Sequence, residues 1–285
     1  MGDLQVVGVH GIRQRDTNEV KLAEDWSQAL SRSIAMHIGA NAAAAPGMTT
    51  PYYGDVFPRG RLQLGDDEEA AELEADGDEE EFFLRALEAH TPPDVAWQPP
   101  AGTLGKVLRT SPRLTAALAA IDRRFGPRAG QAVLSRLSEV QGYFSDKHKD
   151  KADEVRDRVL QSIKQTGATL IIAHSLGSVV VYDMFRRGQI PASVNQLITC
   201  GSPLAWLPIH RKLRLEKPAT LQLPTHVAWL NVLDPYDPIT AGLGLAALAP
   251  DVTDEVVDNQ DDPHSAELYL EQRPVALTVH ARITR

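Results

Sequence analysis

At 285 residues the chain is long enough to bury a large core without disulfide or metal staples, and single α/β domains often reach this length. Its formal net charge of −9, from 29 Lys and Arg against 38 Asp and Glu, argues against nucleic acid or an anionic membrane surface as a partner held by charge. The lone cysteine, Cys200, excludes an intramolecular disulfide and suits a reducing compartment, so a cytoplasmic location is expected.

Met1-Gly2-Asp3 runs into an apolar stretch without a basic start, so no secretory leader is expected. Val6 stands where a myristoylated Gly2 requires serine or threonine, and no apolar run reaches the length of a membrane span. Residues 4–9 read as a strand that ends in His10-Gly11-Ile12, where glycine allows a backbone N–H to approach a neighbour closely. Thr17-Asn18 reads as a helix cap, with Val20, Ala23, Trp26, Leu30, Ile34 and Ile38 on one face and a stop near Gly39. Past Pro46-Gly47, residues 50–57 have strand character.

Residues 66–81 are strongly acidic but lack the alternating Asp spacing that wraps carboxylates around calcium, so they read as solvated surface. From residue 82 to about 143 the character changes to an apolar Phe82-Phe83-Leu84 piece, a proline-rich piece, and helical spacing through Leu114, Leu118, Ile121 and Phe125. This insertion, at about 60–141, reads either as a helical cap over a site or as an extra helical layer on the sheet, and it is also a candidate surface for a protein partner. Val155, Val159, Ile163 and Ala168 mark a further helix face.

The stretch around which the chain is organised follows. Residues 170–173 form an apolar run rich in branched side chains, the pattern of a buried parallel strand; His174-Ser175-Leu176-Gly177 comes next, then helical spacing through Val179, Val180, Asp183 and Met184. A strand turning sharply into a helix through x-Ser-x-Gly exposes its serine at the turn, and the small residues Ala173 and Gly177 suit the close packing such a turn needs. Gln196–Cys200 reads as a strand ending in Gly201-Ser202-Pro203; residues 226–233 as another, ending in Asp234-Pro-Tyr-Asp237-Pro. Residues 252–257 are a short strand candidate ahead of the polar loop carrying His264, and residues 274–284 have strand character. Strands alternating with helices imply a mostly parallel sheet with helices on both faces.

A serine at its ordinary pKa is a weak nucleophile and needs a base oriented by a third group. Loops at the carboxyl ends of parallel strands converge on one face, and Ser175, Asp237 and His264 each follow a strand candidate, in the order Ser, Asp, His. Asp234 competes with Asp237 on the same loop, and His280 competes with His264 from within the terminal apolar segment. His174 should point away from a pocket, Ser202 reads as a turn serine, and Cys200 as a small core residue. No spacing suits zinc or a phosphate loop, so no metal or other cofactor is expected.

The segments Val9-His10-Gly11, Ala173-His-Ser-Leu-Gly-Ser178, Cys200-Gly-Ser-Pro203, Trp229-Leu-Asn-Val-Leu-Asp-Pro-Tyr-Asp-Pro-Ile239 and His264-Ser-Ala-Glu-Leu-Tyr269 resemble the lipase-like branch of the α/β-hydrolase superfamily. The resemblance spans both ends and the centre of the chain and leaves about 60–141 unmatched. It implies a single domain over 1–285 with an α/β-hydrolase fold, to which the residue pattern at about 60–141 adds a helical cap or lid insertion. It implies a serine hydrolase cleaving a carboxylic ester of a small molecule or lipid, and the Leu- and Phe-rich insertion, read as a lid, points to a lipophilic one. Ser175 would be the nucleophile, His264 the base, Asp237 the acid that orients it, and the oxyanion would sit between Leu176 and the Gly11-Ile12 turn. Thioester hydrolysis, acyl transfer and a non-catalytic binding module on the same fold remain open at this level.

Overall fold

The computed structural model describes residues 4–11, 17–39, 44–56, 84, 112–145, 148–215 and 220–284. Six strands, β1 (Gln5–Val9), β2 (Gly47–Thr49), β3 (Leu170–His174), β4 (Gln196–Cys200), β5 (Ala228–Leu233) and β6 (Val252–Val256), form one all-parallel sheet in the order β2-β1-β3-β4-β5-β6. β3 and β4 are buried at every position, which is why their sequences run apolar rather than alternating. The helices are α1 (Glu19–His37), α2 (Pro112–Phe125), α3 (Ala129–Tyr143), α4 (Lys149–Thr166), α5 (Leu176–Arg186), α6 (Leu207–Lys212), α7 (Ala266–Leu270) and α8 (Arg273–Ile283).

Period-two side-chain alternation divides the core between the two sheet faces. Val7, Val9, Ile171, Ala173 and Leu197 pack with Val133, Val140, Val155, Val159 and Val179 of α3, α4 and α5. Val6, Leu170, Ile172, Ile198 and Val232 pack with Trp26 and Leu30 of α1 and with Tyr269 and Val279 of α7 and α8. Both faces of the sheet are therefore covered, as a parallel sheet requires.

The chain leaves β1 for β2 on one side and returns to β3 on the other, so the strand order reverses between β1 and β3. In open parallel sheets that reversal opens a crevice at the carboxyl ends of the strands. Register aligns those ends: Val9 pairs with Ala173, His174 with Cys200, and Cys200 with Val232. The residues that leave these strands, Gly11, Ser175, Gly201 and Asp234 to Asp237, thus emerge side by side.

Several expectations are met closely. Asn18 caps α1 by accepting from Lys21 N at 2.9 Å. Leu118 and Ile121 of α2 and Val155, Val159 and Ile163 of α4 are buried. Within 112–141 the insertion forms α2 and α3, which give Leu118, Ile121, Val133, Leu137 and Val140 to the main core. The acidic run 66–81 and the Phe82-Phe83 piece lie outside the described residues.

Others are corrected. Residues 274–284 are not a strand: 274–283 belong to α8 and Thr284 caps it, with Pro274 in the first turn, where a missing N–H costs nothing. Val275, Ala276 and Val279 face α1, and an apolar run of this length has no period that separates helix from strand without such a neighbour. The strand expected at 50–57 is instead Gly47–Thr49; Pro51, which has no N–H, follows, and the chain to Val56 is irregular. On α1 the buried stripe runs through Leu22, Trp26, Ala29, Leu30 and Ile34, whereas Val20, expected on that face, is 67% exposed. No helix among the described residues is long and apolar enough to cross a membrane.

Candidate active site

Ser175 stands between the last residue of β3 and the first of α5, with φ 54° and ψ −128°. For a residue with a Cβ this backbone costs about 1–3 kcal/mol and persists only where the surroundings enforce it. Two features enforce it. The Ser175 N–H donates to the Cys200 carbonyl at 3.0 Å, extending the β3–β4 ladder by one bond into the turn. On the other side α5 passes under the end of β1 so closely that a Cβ on Gly177 would lie 2.7 Å from the Val9 carbonyl carbon. Ser178 Oγ–H then donates to the Ser175 carbonyl at 2.5 Å and meets Ser202 Oγ at 2.8 Å, so Ser202 is a turn serine that also accepts from Leu204 N.

The side chains of Ser175, His264 and Asp237 form one hydrogen-bonded chain. His264 Nδ1 lies 2.8 Å from Asp237 Oδ2, and His264 Nε2 lies 3.0 Å from Ser175 Oγ. A carboxylate only accepts, so Nδ1 carries the proton toward Asp237 and Nε2 is left as an acceptor facing the serine hydroxyl. Asp237 is fully buried and saturated: Oδ1 accepts from Ile239 N at 2.8 Å, and Oδ2 also accepts from Tyr269 Oη at 2.9 Å. Burial and the Asp237 charge both push the Tyr269 hydroxyl above its ordinary pKa, which keeps it protonated and donating. Chemically, the arrangement can draw a proton from Ser175 and hold the resulting imidazolium against a buried carboxylate.

Asp234 has a different task. Its Oδ1 accepts from Tyr236 N at 2.7 Å and its Oδ2 from Asn259 N at 2.6 Å, while its backbone N–H donates to Tyr269 Oη at 2.9 Å. It organises the loop that presents Asp237 and does not reach His264. His280 sits in α8, which packs on α1, and the described hydrogen bonds link it to neither Ser175 nor Asp237. Cys200 is buried, with its thiol pKa pushed up by burial, as befits a small core residue.

Gly11 closes over the serine: a Cβ there would lie 3.3 Å from Ser175 Cβ and 4.0 Å from the Leu176 nitrogen. The Leu176 N–H belongs to the first turn of α5, where no intrahelical acceptor exists. Gly11 and Leu176 thus border the same space beside Ser175 Oγ; Ile12, the other half of the expected oxyanion turn, lies outside the described residues.

Several residues of the site escaped the sequence. Gly201 has φ 56°, and a Cβ there would stand 2.9 Å from Asp237 Oδ2 and 3.2 Å from His264 Nδ1, so only hydrogen fits against that pair. Tyr269 is the second donor to Asp237 Oδ2, and its one signal in the sequence is its position one turn beyond the Ser265 cap of α7. His174 donates from Nε2 to the His264 carbonyl at 3.0 Å.

His10 is buried beneath Tyr53, with ring centroids 4.0 Å apart and planes 13° from parallel. Its Nε2 accepts from Tyr53 N at 3.3 Å, its Nδ1–H donates to the Gly11 carbonyl, and Tyr53 Oη–H donates to the His10 carbonyl. Burial lowers its pKa from 6.5 to about 4. Between those values the unfolded chain binds a proton that the folded chain refuses, so stability rises with pH there. The contribution is complete above pH 6.5, falls away toward about pH 4, and is worth about 3 kcal/mol. Urea midpoints measured from neutral pH down to about 4.5 should therefore drop less steeply for His10→Gln than for the parent chain. Parallel curves would remove His10 as the cause.

Among the described residues no cluster of His, Cys, Asp and Glu could hold a metal ion. No family model matches the chain, and no curated protein matches it either.

Proposed function

We propose that the chain is a serine hydrolase with an α/β-hydrolase fold, cleaving a carboxylic ester through an acyl-enzyme intermediate. One observation carries this reading: His264 bonds Ser175 Oγ through one ring nitrogen and the buried Asp237 through the other. The strained serine at the strand–helix turn, beside the strand-order reversal, supports it.

In this reading Ser175 Oγ attacks the ester carbonyl carbon while His264 Nε2 takes its proton. The negative oxygen of the tetrahedral intermediate is met by the Leu176 N–H, in the space that Gly11 borders; one such donor is worth about 2.7–4 kcal/mol in acyl transfer. The bond to the leaving alcohol breaks as His264 returns the proton to it, leaving the acyl group on Ser175. Water then attacks the acyl carbon with His264 again as base, the acid departs, and the serine is restored. Asp237 keeps the Nδ1 proton in place throughout and stabilises the imidazolium.

A lipophilic ester is favoured by exposed apolar side chains on the segments that follow β4 and β5, at the start of α6 and on the loop after β5. Leu207 is 59% exposed, Tyr236, next to Asp237, is 68% exposed, and Leu243 is 41% exposed. A fluorophosphonate probe tests the reading. It should label the folded protein at Ser175 and spare Ser175→Ala, and p-nitrophenyl esters should be turned over faster as the acyl chain lengthens. Absence of label on folded protein would sink the hydrolase reading and leave a binding module of the same fold.

A further inference from the structure

We propose that His174, the residue before the nucleophile, is a positioning residue that sets where the base stands; this rests on the proposed roles of Ser175, His264 and Asp237. His264 lies on an irregular loop between β6 and α7. Its side chain is tied at both ring nitrogens, but its reach to Ser175 depends on where its backbone is held. Asn259 anchors the loop further back, through Asp234 Oδ2 and the Pro263 carbonyl. At His264 itself the anchor is the bond from His174 Nε2 to the His264 carbonyl, at 3.0 Å.

His174 suits that task by its place in the sheet. It is the last residue of β3, paired with Cys200 in the middle of the sheet, so its backbone is among the most constrained in the molecule. Strand alternation sends Ala173 to the face of α3 to α5 and His174 to the opposite face, where α1 and α7 lie. From there its ring lies against that of His264, with centroids 4.6 Å apart at 40°, while Trp26 meets it edge-on at 6.5 Å and Tyr269 lies tilted by 48° at 6.1 Å. The nucleophile and the anchor of the base are thus consecutive residues, Ser175 in the turn that directly follows His174 at the end of β3, and the Ser175–His264 distance is set across that one step of chain. Burial, then the neighbouring His264, holds the His174 pKa well below 6.5, so the ring is neutral and its Nε2 proton is available to the carbonyl. It therefore does not compete as a base.

The test compares two substitutions in the full chain. His174→Phe fills the space without a donor, and His174→Gln retains an N–H at a similar reach. With a p-nitrophenyl ester, His174→Phe should lower kcat by about 10–100-fold while KM changes less than about twofold, because misplacement by an ångström is costly for chemistry and not for binding. His174→Gln should recover most of the loss. A readout independent of turnover is the downfield NMR resonance of the His264 Nδ1 proton, expected to broaden in His174→Phe and sharpen again in His174→Gln. If His174→Phe does not fold, His174→Met takes its place in the same comparison. A labelled, folded parent whose phenylalanine or methionine variant keeps kcat within about twofold, or whose glutamine variant is no better than these, overturns the anchoring role alone. A parent that takes no fluorophosphonate label overturns the assignment of Ser175 itself.

Discussion

On the proposed hydrolase reading, Asp237→Asn is expected to lower kcat for an ester substrate by about four orders of magnitude, whereas Asp234→Asn should leave kcat of the folded protein within about tenfold of the parent. The two residues are three positions apart on one loop and are equally buried. Their partners separate them. Asp237 Oδ2 receives His264 Nδ1 at 2.8 Å, and an amide in its place can turn an N–H toward the ring, forcing the imidazole proton to Nε2, where it faces Ser175 and blocks proton abstraction. Asp234 receives only backbone N–H groups, from Tyr236 and Asn259, so Asp234→Asn strands one donor and costs about 1–3 kcal/mol of stability. Measuring kcat beside the urea midpoint for both variants checks this. Equal losses of kcat would show that the carboxylates act through loop structure and not through the imidazole.

Asp183→Ala is expected to destabilise the protein by about 3–5 kcal/mol, the usual consequence of removing one partner of a buried ion pair. Asp183 projects from α5, about two helical turns beyond Ser175, and is almost fully buried. Its Oδ2 accepts from Tyr143 Oη at 3.0 Å, Arg156 at 3.3 Å and Arg187 Nε at 2.8 Å. The carboxylate thus ties α5, the helix that follows Ser175, to α3 and α4. Without it the buried Arg156 guanidinium loses its buried counter-charge; it keeps the Tyr143 hydroxyl, but its remaining charged partner, Asp153, is half exposed. The double variant Asp183→Leu with Arg156→Met removes both charges and should recover much of the loss, since apolar residues of similar volume often replace a buried pair at little cost. Urea denaturation with an unchanged slope reads the difference directly. A single-variant loss below about 1 kcal/mol would mean that water reaches the pair.

Much of the architecture was legible in the chain because its signals are local. Continuous branched apolar runs announced β3, β4 and β5, and helical spacing announced α1, α2 and α4. The same rule failed at residues 274–284, where a short apolar run fits either period and contact with α1 decides for a helix. The turn at Ser175 was readable because the small residues that permit it are its sequence neighbours.

The sequence by itself determined the parallel α/β architecture, the serine at the strand–helix turn, and a short set of acids and histidines downstream of strand ends. Only the tertiary structure decided which of them meet: Asp237 and not Asp234 faces His264, and His264 and not His280 faces Ser175. It alone brought in Gly201, Tyr269 and His174, which crowd, donate to and anchor that group. The physical reason is distance along the chain. Strand, helix and turn depend on neighbours a few residues away, whereas His264 meets Ser175 across 89 positions and Asp237 across 27, contacts that exist only once the carboxyl ends of β3, β4 and β5 are aligned in one sheet.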